Sequence, residues 1–539
     1  MSPNPDMNEA DVFEAVADAV PDNRAVTIDG VTYSYREFDE VANRMGHLLQ
    51  ANGVEPGNHV ALFMRNIIEH LASMVGLMKI RGVGINVNFR YTEDELAYLF
   101  ADSDAVATVV EAEYADKVAA ILPRCPELRT VLCVGPATEA LTSACAERGV
   151  TLVDVDAELP KQSSERDFGP RSGDDTWVVY TGGTTGFPKG VVWRMADYYY
   201  ACLSGGNPYG DPHNSPEEVA ANSGNGAFLN VMVSAPLMHG AGTFTLFTFF
   251  NLGGHIIMQR DFDPVAILKT IEEYKAGMLV FVGDGMGVPI IDAMAENWDQ
   301  IDVTSLFAVA SGGGIWSKAS RDKLRSLLPD VIVRDNFGAS ESGNDGELQM
   351  SGEGEVRLPA GPKVMVVDDD HNPIAPGSDE VGFLVRRGHI PLGYYGDEEK
   401  TARTFPIIDG ERVSVLGDMA RVDEDGSIVF LGRGSGCINT GGEKVFPEEV
   451  EQILKSHPSV LDALVAGMPD PRFGQAVAAV VSLREGESAS EEEIQEFVRG
   501  KLANYKVPKR VVEVEQVKRS PAGKADYRWA KEQVAPADA

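Results

Sequence analysis

Residues 178–192 read Val-Val-Tyr-Thr-Gly-Gly-Thr-Thr-Gly-Phe-Pro-Lys-Gly-Val-Val. Gly182, Gly183 and Gly186 allow backbone angles closed to other residues and let main-chain N–H groups approach a ligand closely. Thr181, Thr184 and Thr185 add hydroxyl donors, and Lys189 adds a positive charge. Together they can hold a polyphosphate, and the apolar flanks predict strand, phosphate loop, strand. The Walker form is excluded, because it needs Gly-Lys-Ser/Thr opening a helix, whereas Lys189 follows Pro188 and precedes Gly190.

Further along, Ala310-Ser-Gly-Gly-Gly-Ile-Trp sets Gly312, Gly313 and Gly314 after an apolar run, where a flat or bulky ligand can lie directly on the backbone; the bland reading is a plain turn. Asp418 follows a glycine at an expected strand end, and its carboxylate could accept two hydrogen bonds from a ribose diol. Arg433 offers a cation to phosphate or ribose, and Gly434 and Gly436 beside it supply the backbone freedom of a hinge. His239 stands alone among apolar and small residues, a setting more typical of a packed histidine than of a ligand. Gly283-Asp-Gly-Met-Gly-Val is spaced Gly-x-Gly-x-Gly, with Pro289 close behind, so a nicotinamide fingerprint is rejected.

The loop 180–190, the segment Asn336-Phe-Gly-Ala-Ser-Glu, Gly393-Tyr-Tyr, Leu416-Gly-Asp and Val517-Lys-Arg-Ser-Pro-Ala-Gly-Lys occur in one order along the chain. In these motifs the chain resembles the adenylate-forming superfamily of acyl- and aryl-CoA ligases, luciferases and peptide-synthetase adenylation domains over nearly its whole length. The resemblance implies that Phe337 stacks on adenine beside Asn336 and Gly338, with Ser340 in the place of a threonine. It makes Glu341 the magnesium ligand, with Thr181 as a second; such an ion takes few protein carboxylates and fills its octahedron with phosphate oxygens and water. Gly312, Gly313 and Gly314 would border adenine and the acyl group, with Gly313 and His239 on the substrate, and Asp418 would hold the ribose. Lys524, Glu341 and Arg433 would be catalytic, while Gly441, Gly442 and Lys444 would approach the pantetheine of coenzyme A. This sequence departs from its relatives in Phe337, which lacks a tyrosine hydroxyl, and in Ser435 and Gly436, where charged residues are usual.

These residues need a scaffold. Val12, Val16 and Val20, then Phe38, Val41, Met45 and Leu48, recur at helical spacing, with Gly53 as a helix stop. Short apolar runs at 60–64, 83–87, 105–110, 131–134 and 177–180 alternate with helical stretches such as 66–80, which predicts parallel strands joined by crossover helices. Residues 207–225 are rich in Gly, Pro, Asn and Ser without periodicity and read as a surface loop or lid. After Phe446, Pro447 opens a helix carrying Val450, Ile453 and Leu454, two apolar strands are expected to flank Gly467, and Ser490 with Glu493 forms a capping box. The expected fold is a large α/β N-terminal domain with mostly parallel sheets and a small mobile α+β C-terminal domain. Its parts are an ATP- and acyl-binding domain at 1–433, a hinge at 434–436 and a catalytic-lysine domain at 437–539.

The chain has 539 residues, too many for one core, and a formal charge of −35, which repels nucleic acid and anionic membrane surfaces. Five scattered cysteines lack metal spacing, and residues 1–11 are not a secretory leader, so a cytoplasmic location is expected. The apolar stretch 238–258 is broken by glycines and polar residues and reads as core or pocket wall, so no integral membrane segment is expected. The function implied by the resemblance is an AMP-forming acyl-CoA synthetase of the fatty-acid or sterol side-chain type, using ATP, Mg2+ and coenzyme A. The alternatives are a stand-alone ligase that loads a carrier protein and an inactive relative that only binds nucleotide or acyl ligand. An apolar acid is expected, because Phe244, Leu246, Phe247, Phe249 and Phe250 surround Gly240, Ala241 and Gly242 with no basic side chain among them. A homodimer is one admissible assembly.

Overall fold

Helical spacing near the N-terminus becomes two helices, Glu9–Ala19 and Tyr35–Ala51, because each begins on a side chain that satisfies the first free N–H groups. Asn8 caps the first, and Ser34 with Glu37 forms a reciprocal capping box on the second. Their apolar faces bring Phe13 and Phe38 against Phe250, each pair of ring centroids 5.6 Å apart, with Tyr35 donating to the Gly254 carbonyl. The computed structural model describes residues 3–181, 188–224, 229–314, 316–350, 356–433, 436–440, 443–470, 474–502, 504–519 and 525–535.

Among the described residues, two eight-stranded sheets form the frame of the large domain. In one, His59–Phe63, Val83–Asn86, Ala107–Glu111, Thr130–Val134, Thr151–Asp154 and Thr176–Thr181 run parallel, and Lys189–Arg194 and Gly393–Tyr394 close the edge antiparallel. In the other, Ala308–Gly312 lies parallel to both Met278–Phe281 and Ile332–Ala339. The central parallel strands, such as His59–Phe63 and Met278–Phe281, are short and largely apolar, as strands covered on both faces must be, whereas Thr151–Asp154 and Ile332–Ala339 carry polar and exposed residues. A third, six-stranded sheet spanning Gln349–Met350 to Ile428–Arg433 is antiparallel. The chain ends in a smaller unit whose strands Val460–Asp470 and Gly474–Leu483 pack under the helix Pro447–Lys455.

Three expectations are corrected. Residues 207–225 are not wholly loop: Ser215 caps, and Pro216 starts, a helix Pro216–Ser223 that lies on Glu9–Ala19 and buries Val219. Proline and glycine hid a start signal that their own spacing supplied. Gly467 does not separate two strands but sits inside Val460–Asp470, which pairs from Val460 through Asp470 with Gly474–Leu483. Asp418 lies within the strand Ser414–Val422 and not at its end, since Gly417 takes φ +83° and the strand continues past it. Phe247 and Phe250 are buried in the core, the bland reading of that aromatic run.

Candidate active site

The phosphate-loop hairpin is placed by its flanks. Thr176–Thr181 and Lys189–Arg194 pair so that Thr181 stands opposite Lys189, which brings the two ends of the loop to one rung. Asn86 fixes the adjoining rung, Tyr180 opposite Gly190, from the neighbouring parallel strand. Its side chain accepts from the Tyr180 N–H (2.8 Å) and donates to the Tyr180 carbonyl (3.0 Å), and also donates to the Met238 carbonyl (2.6 Å). The residue before Thr181 and the residue before His239 therefore share one amide.

Lys189 Nζ lies 3.7 Å from Asp102 and 3.6 Å from Asp397, above the Tyr98 ring. Asp102 also accepts from the hydroxyls of Tyr98 (2.8 Å) and Tyr180 (2.9 Å). Burial acts to lower the lysine's pKa, but Tyr98 and the carboxylates outweigh it and the pKa stands raised, so the ammonium stays charged.

The acidic motif hangs on the same hairpin. Trp193 Nε1 donates to the Ser340 carbonyl (2.9 Å), and the Tyr394 hydroxyl donates to Glu341 Oε1 (3.0 Å). Trp193 belongs to the return strand of the hairpin, and Tyr394 pairs with that strand at Val191. Ser414 Oγ donates to the Glu341 carbonyl (3.0 Å), which ties the turn to the strand bearing Asp418. Both candidate magnesium ligands, Thr181 and Glu341, offer oxygen, the donor a hard ion takes. The Tyr394 bond orients the carboxylate as an outer-sphere hydrogen bond orients a ligand. The residues fit the ion.

Beside this lies the glycine ladder. Gly312 pairs with Asn336, and Phe337 on the same strand meets Phe430 at 5.2 Å. Gly313 takes φ +78°, a left-handed angle that favours glycine, and a Cβ on Gly314 would lie 3.3 Å from the Gly283 backbone. At Gly338 a Cβ would stand 2.1 Å from the Gly343 carbonyl oxygen, so the turn that delivers Ser340 and Glu341 requires glycine. Asp418 is buried and stands opposite Arg433 in the antiparallel pair. His239 precedes the helix Gly240–Asn251 and lines a mostly apolar cavity of about 10 Å³, room for one water, with Leu62, Met74, Trp177 and Leu237. His70 is on the same wall, where burial pushes its pKa down to about 4.

The structure thus joins Thr181, Lys189, Ser340 and Glu341 through one hairpin, Gly312 to Asn336 by pairing, and His239 to the hairpin through Asn86. Gly182, Gly183, Thr184, Thr185, Gly186, Gly441, Gly442 and Lys524 lie outside the described residues, as do the side chains of Arg433 and Lys444. Sequence reasoning missed Asn86, Asp102 and Trp193, which carry no local signal; Tyr394 lay in a segment already noted, Gly393-Tyr-Tyr, but its bond to Glu341 was not foreseen.

Residues 13–395 match the family model described as AMP-binding enzyme, and residues 449–524 match the AMP-binding enzyme C-terminal domain. A 3-oxocholest-4-en-26-oate--CoA ligase from Rhodococcus rhodochrous is 44% identical over 99% of this chain and 97% of its own length. A medium/long-chain-fatty-acid--CoA/3-oxocholest-4-en-26-oate--CoA ligase from Mycolicibacterium smegmatis is 43% identical over 98% and 96%. In fold, the chain is similar to an anthranilate CoA ligase solved with anthranoyl-AMP (TM-score 0.81, 21% identity, 97% of this chain and 96% of that one). It is also similar to MatB from Rhodopseudomonas palustris solved with ATP (TM-score 0.77, 24% identity, 98% and 99%).

Proposed function

The chain belongs to the AMP-binding enzyme family, and on that premise we propose that it is an ATP-dependent acyl-CoA synthetase acting on an apolar carboxylic acid. A carboxylate oxygen attacks the α-phosphorus of ATP; the bond from that phosphorus to its bridging oxygen breaks, leaving acyl-adenylate and releasing pyrophosphate. The thiol of coenzyme A then loses its proton and attacks the acyl carbon, and the carbon–oxygen bond to AMP breaks. The observation that carries this reading is the single hairpin on which Lys189 and the Ser340–Glu341 turn are both held. Lys189 and Glu341 are thereby held at one edge of one sheet, which supports their reading as phosphate cation and hard-ion ligand.

The residues divide the work. The loop 182–187, Thr181 and Lys189 bind the phosphates, Gly312, Gly313, Gly314, Asn336, Phe337 and Gly338 take the adenine, and Asp418 and Arg433 take the ribose. A magnesium ion held by Glu341 with Thr181 would neutralise phosphate charge. Lys524 places a cation where negative charge shifts onto the bridging and leaving oxygens, stabilising the transition state more than the reactants. Turning of the small domain about 434–436 withdraws Lys524 and brings Gly441, Gly442 and Lys444 toward the thiol. His239 and Gly313 face the acyl carboxylate. The names of the two ligases above support an acid of the fatty or sterol side-chain class.

The assay is incubation with ATP, Mg2+ and a panel of acids, with and without coenzyme A. AMP release that depends on coenzyme A is expected, greatest with long or alicyclic monocarboxylates. Adenylate that accumulates until a carrier protein is added would make the enzyme a carrier-loading ligase, and absence of pyrophosphate with every acid would make it a binding protein only. A dicarboxylate or amino acid as much the best substrate would overturn the acyl assignment. Among the described residues, no helix is long and apolar enough to cross a membrane. A cytoplasmic location and a homodimer belong to the proposal, and sedimentation of the pure protein tests the dimer.

A further inference from the structure

Where the small domain meets the large one, two charged side chains are taken out of water together. Lys455, at the end of the helix Pro447–Lys455, is 4% exposed, and Asp284, in the first turn of the helix Gly283–Glu296, is 8% exposed. Their ammonium and carboxylate stand 3.5 Å apart. Neither relies on the other alone. Lys455 also lies 3.3 Å from Asp462, which Arg519 grips with two hydrogen bonds. Asp284 gives Oδ2 to Lys455 and keeps Oδ1 for the N–H and hydroxyl of Ser317, at 3.0 and 3.1 Å.

Asp284 is also wired to the nucleotide side of the site. The N–H of Gly283 donates to Ser311 Oγ on the glycine-ladder strand (2.9 Å), and the Gly283 backbone packs so close to Gly314 that a Cβ there would lie 3.3 Å from it. Ser317 caps the helix Lys318–Leu327, whose Arg321 holds Asp335 at 3.2 Å, one residue before Asn336. A continuous set of contacts therefore runs from Arg519 and Asp462 of the small domain, through Lys455 and Asp284, to the strand Ile332–Ala339 that carries Asn336 and Phe337.

We propose that Asp284 and Lys455 are a positioning pair that selects one orientation of the small domain over the other and registers it against the nucleotide strand. This rests on the two half-reactions proposed above. The design suits a contact that must be made and broken, because each charge keeps a partner in its own domain when the two separate. A buried ion pair that stranded either charge on opening would lock the domains. Burial by itself lowers the pKa of the Lys455 ammonium, yet Asp462 and Asp284 together hold it raised, so the cation persists at the seam.

The test measures the half-reactions separately in full-length protein: pyrophosphate release on mixing acid with ATP, and thioester formation from supplied acyl-adenylate and coenzyme A. Asp284→Asn keeps the shape and leaves Lys455 paired with Asp462. It is expected to change one half-reaction by tenfold or more and the other by less than twofold. Lys455→Met should shift the same half-reaction, Lys455→Arg should restore it in part, and the double variant should be no worse than the more damaged single one. Thermal unfolding of each variant separates a loss of folded protein from a shift in orientation. Equal changes in both half-reactions, or changes that add in the double variant, would overturn the pair. If the wild-type protein performs neither half-reaction, it is the proposed function that fails.

Discussion

At the phosphate-loop hairpin, position is held by strand pairing and by hydrogen bonds from neutral groups: Asn86 to Tyr180, Trp193 to Ser340, Tyr394 to Glu341. At the seam with the small domain it is held by charges, Lys455 between Asp284 and Asp462. The physics differs because the tasks differ. A buried donor or acceptor deprived of its one partner loses about 1–3 kcal/mol, so the hairpin and the acidic turn stay together through the reaction. A charge with a partner on each side of a seam can exchange one environment for another. Under the proposed function, the large domain would present the phosphate and nucleotide surface, and the small domain would be registered against it in alternative ways.

The largest effect expected is that of Lys524→Ala. It should reduce adenylation by about 10² to 10³, the effect of removing one preorganised electrostatic contact, while thioester formation from supplied acyl-adenylate continues at near the original rate. Single-turnover assays of both steps check this, and matched losses would erase the distinction between fixed and moving halves. Next comes Glu341→Gln on the fixed side, which removes the charge assigned to magnesium. Adenylation should slow by about 10²-fold with a higher magnesium requirement; a variant with an unchanged magnesium dependence would take Glu341 out of the site.

Tyr394→Phe sharpens the comparison, because it deletes only the hydroxyl that orients Glu341. The magnesium half-saturation should rise about tenfold, as when an outer-sphere partner of a metal ligand is lost, with thermal stability little changed. Asp102→Asn should act in the opposite direction and more weakly. Asp102 and Asp397 compete with phosphate for Lys189, and the lysine is partly open to water, so relieving one of them should lower the KM for ATP by no more than about fivefold. A raised KM would mean that the carboxylate holds Lys189 in its working position.

The smallest effect lies in stability. His70 is buried with a folded pKa near 4, below the ordinary histidine value, so the unfolded chain takes up a proton at a higher pH than the folded one. Its contribution is complete above pH about 6.5 and is lost as pH falls toward 4. In His70→Asn, whose amide replaces the Nδ1 contact to the Arg65 carbonyl, the stability lost between pH 7 and pH 5 should shrink by about 2 kcal/mol in urea unfolding. An unchanged loss would show that the histidine is already charged in the folded protein.

What the sequence determined by itself was chemistry that is local in the chain. Three glycines, three threonines and a lysine within nine residues carry the resemblance to a phosphate loop without help from the rest of the chain. Apolar runs of strand length between helical stretches specify parallel sheets, and Ser490 with Glu493 specifies a helix start that the structure contains. The same local logic failed where a long strand passes through Gly467 and where Pro216 begins a helix, because a glycine or proline has one meaning inside an element and another at its edge. The phenylalanines of 244–250 could not be divided between pocket and core from their order. Only the packing of Phe13 and Phe38 against Phe250 assigns that ring to the core. Asn86, Asp102, Trp193 and Asp284 were invisible for a further reason. Each has a partner between 78 and 171 positions away, and nothing in a sequence states which distant side chain will be carried to an adjacent strand or across a seam. Tertiary structure decides this, because burial leaves a polar group only the partners that the fold brings within about 3 Å.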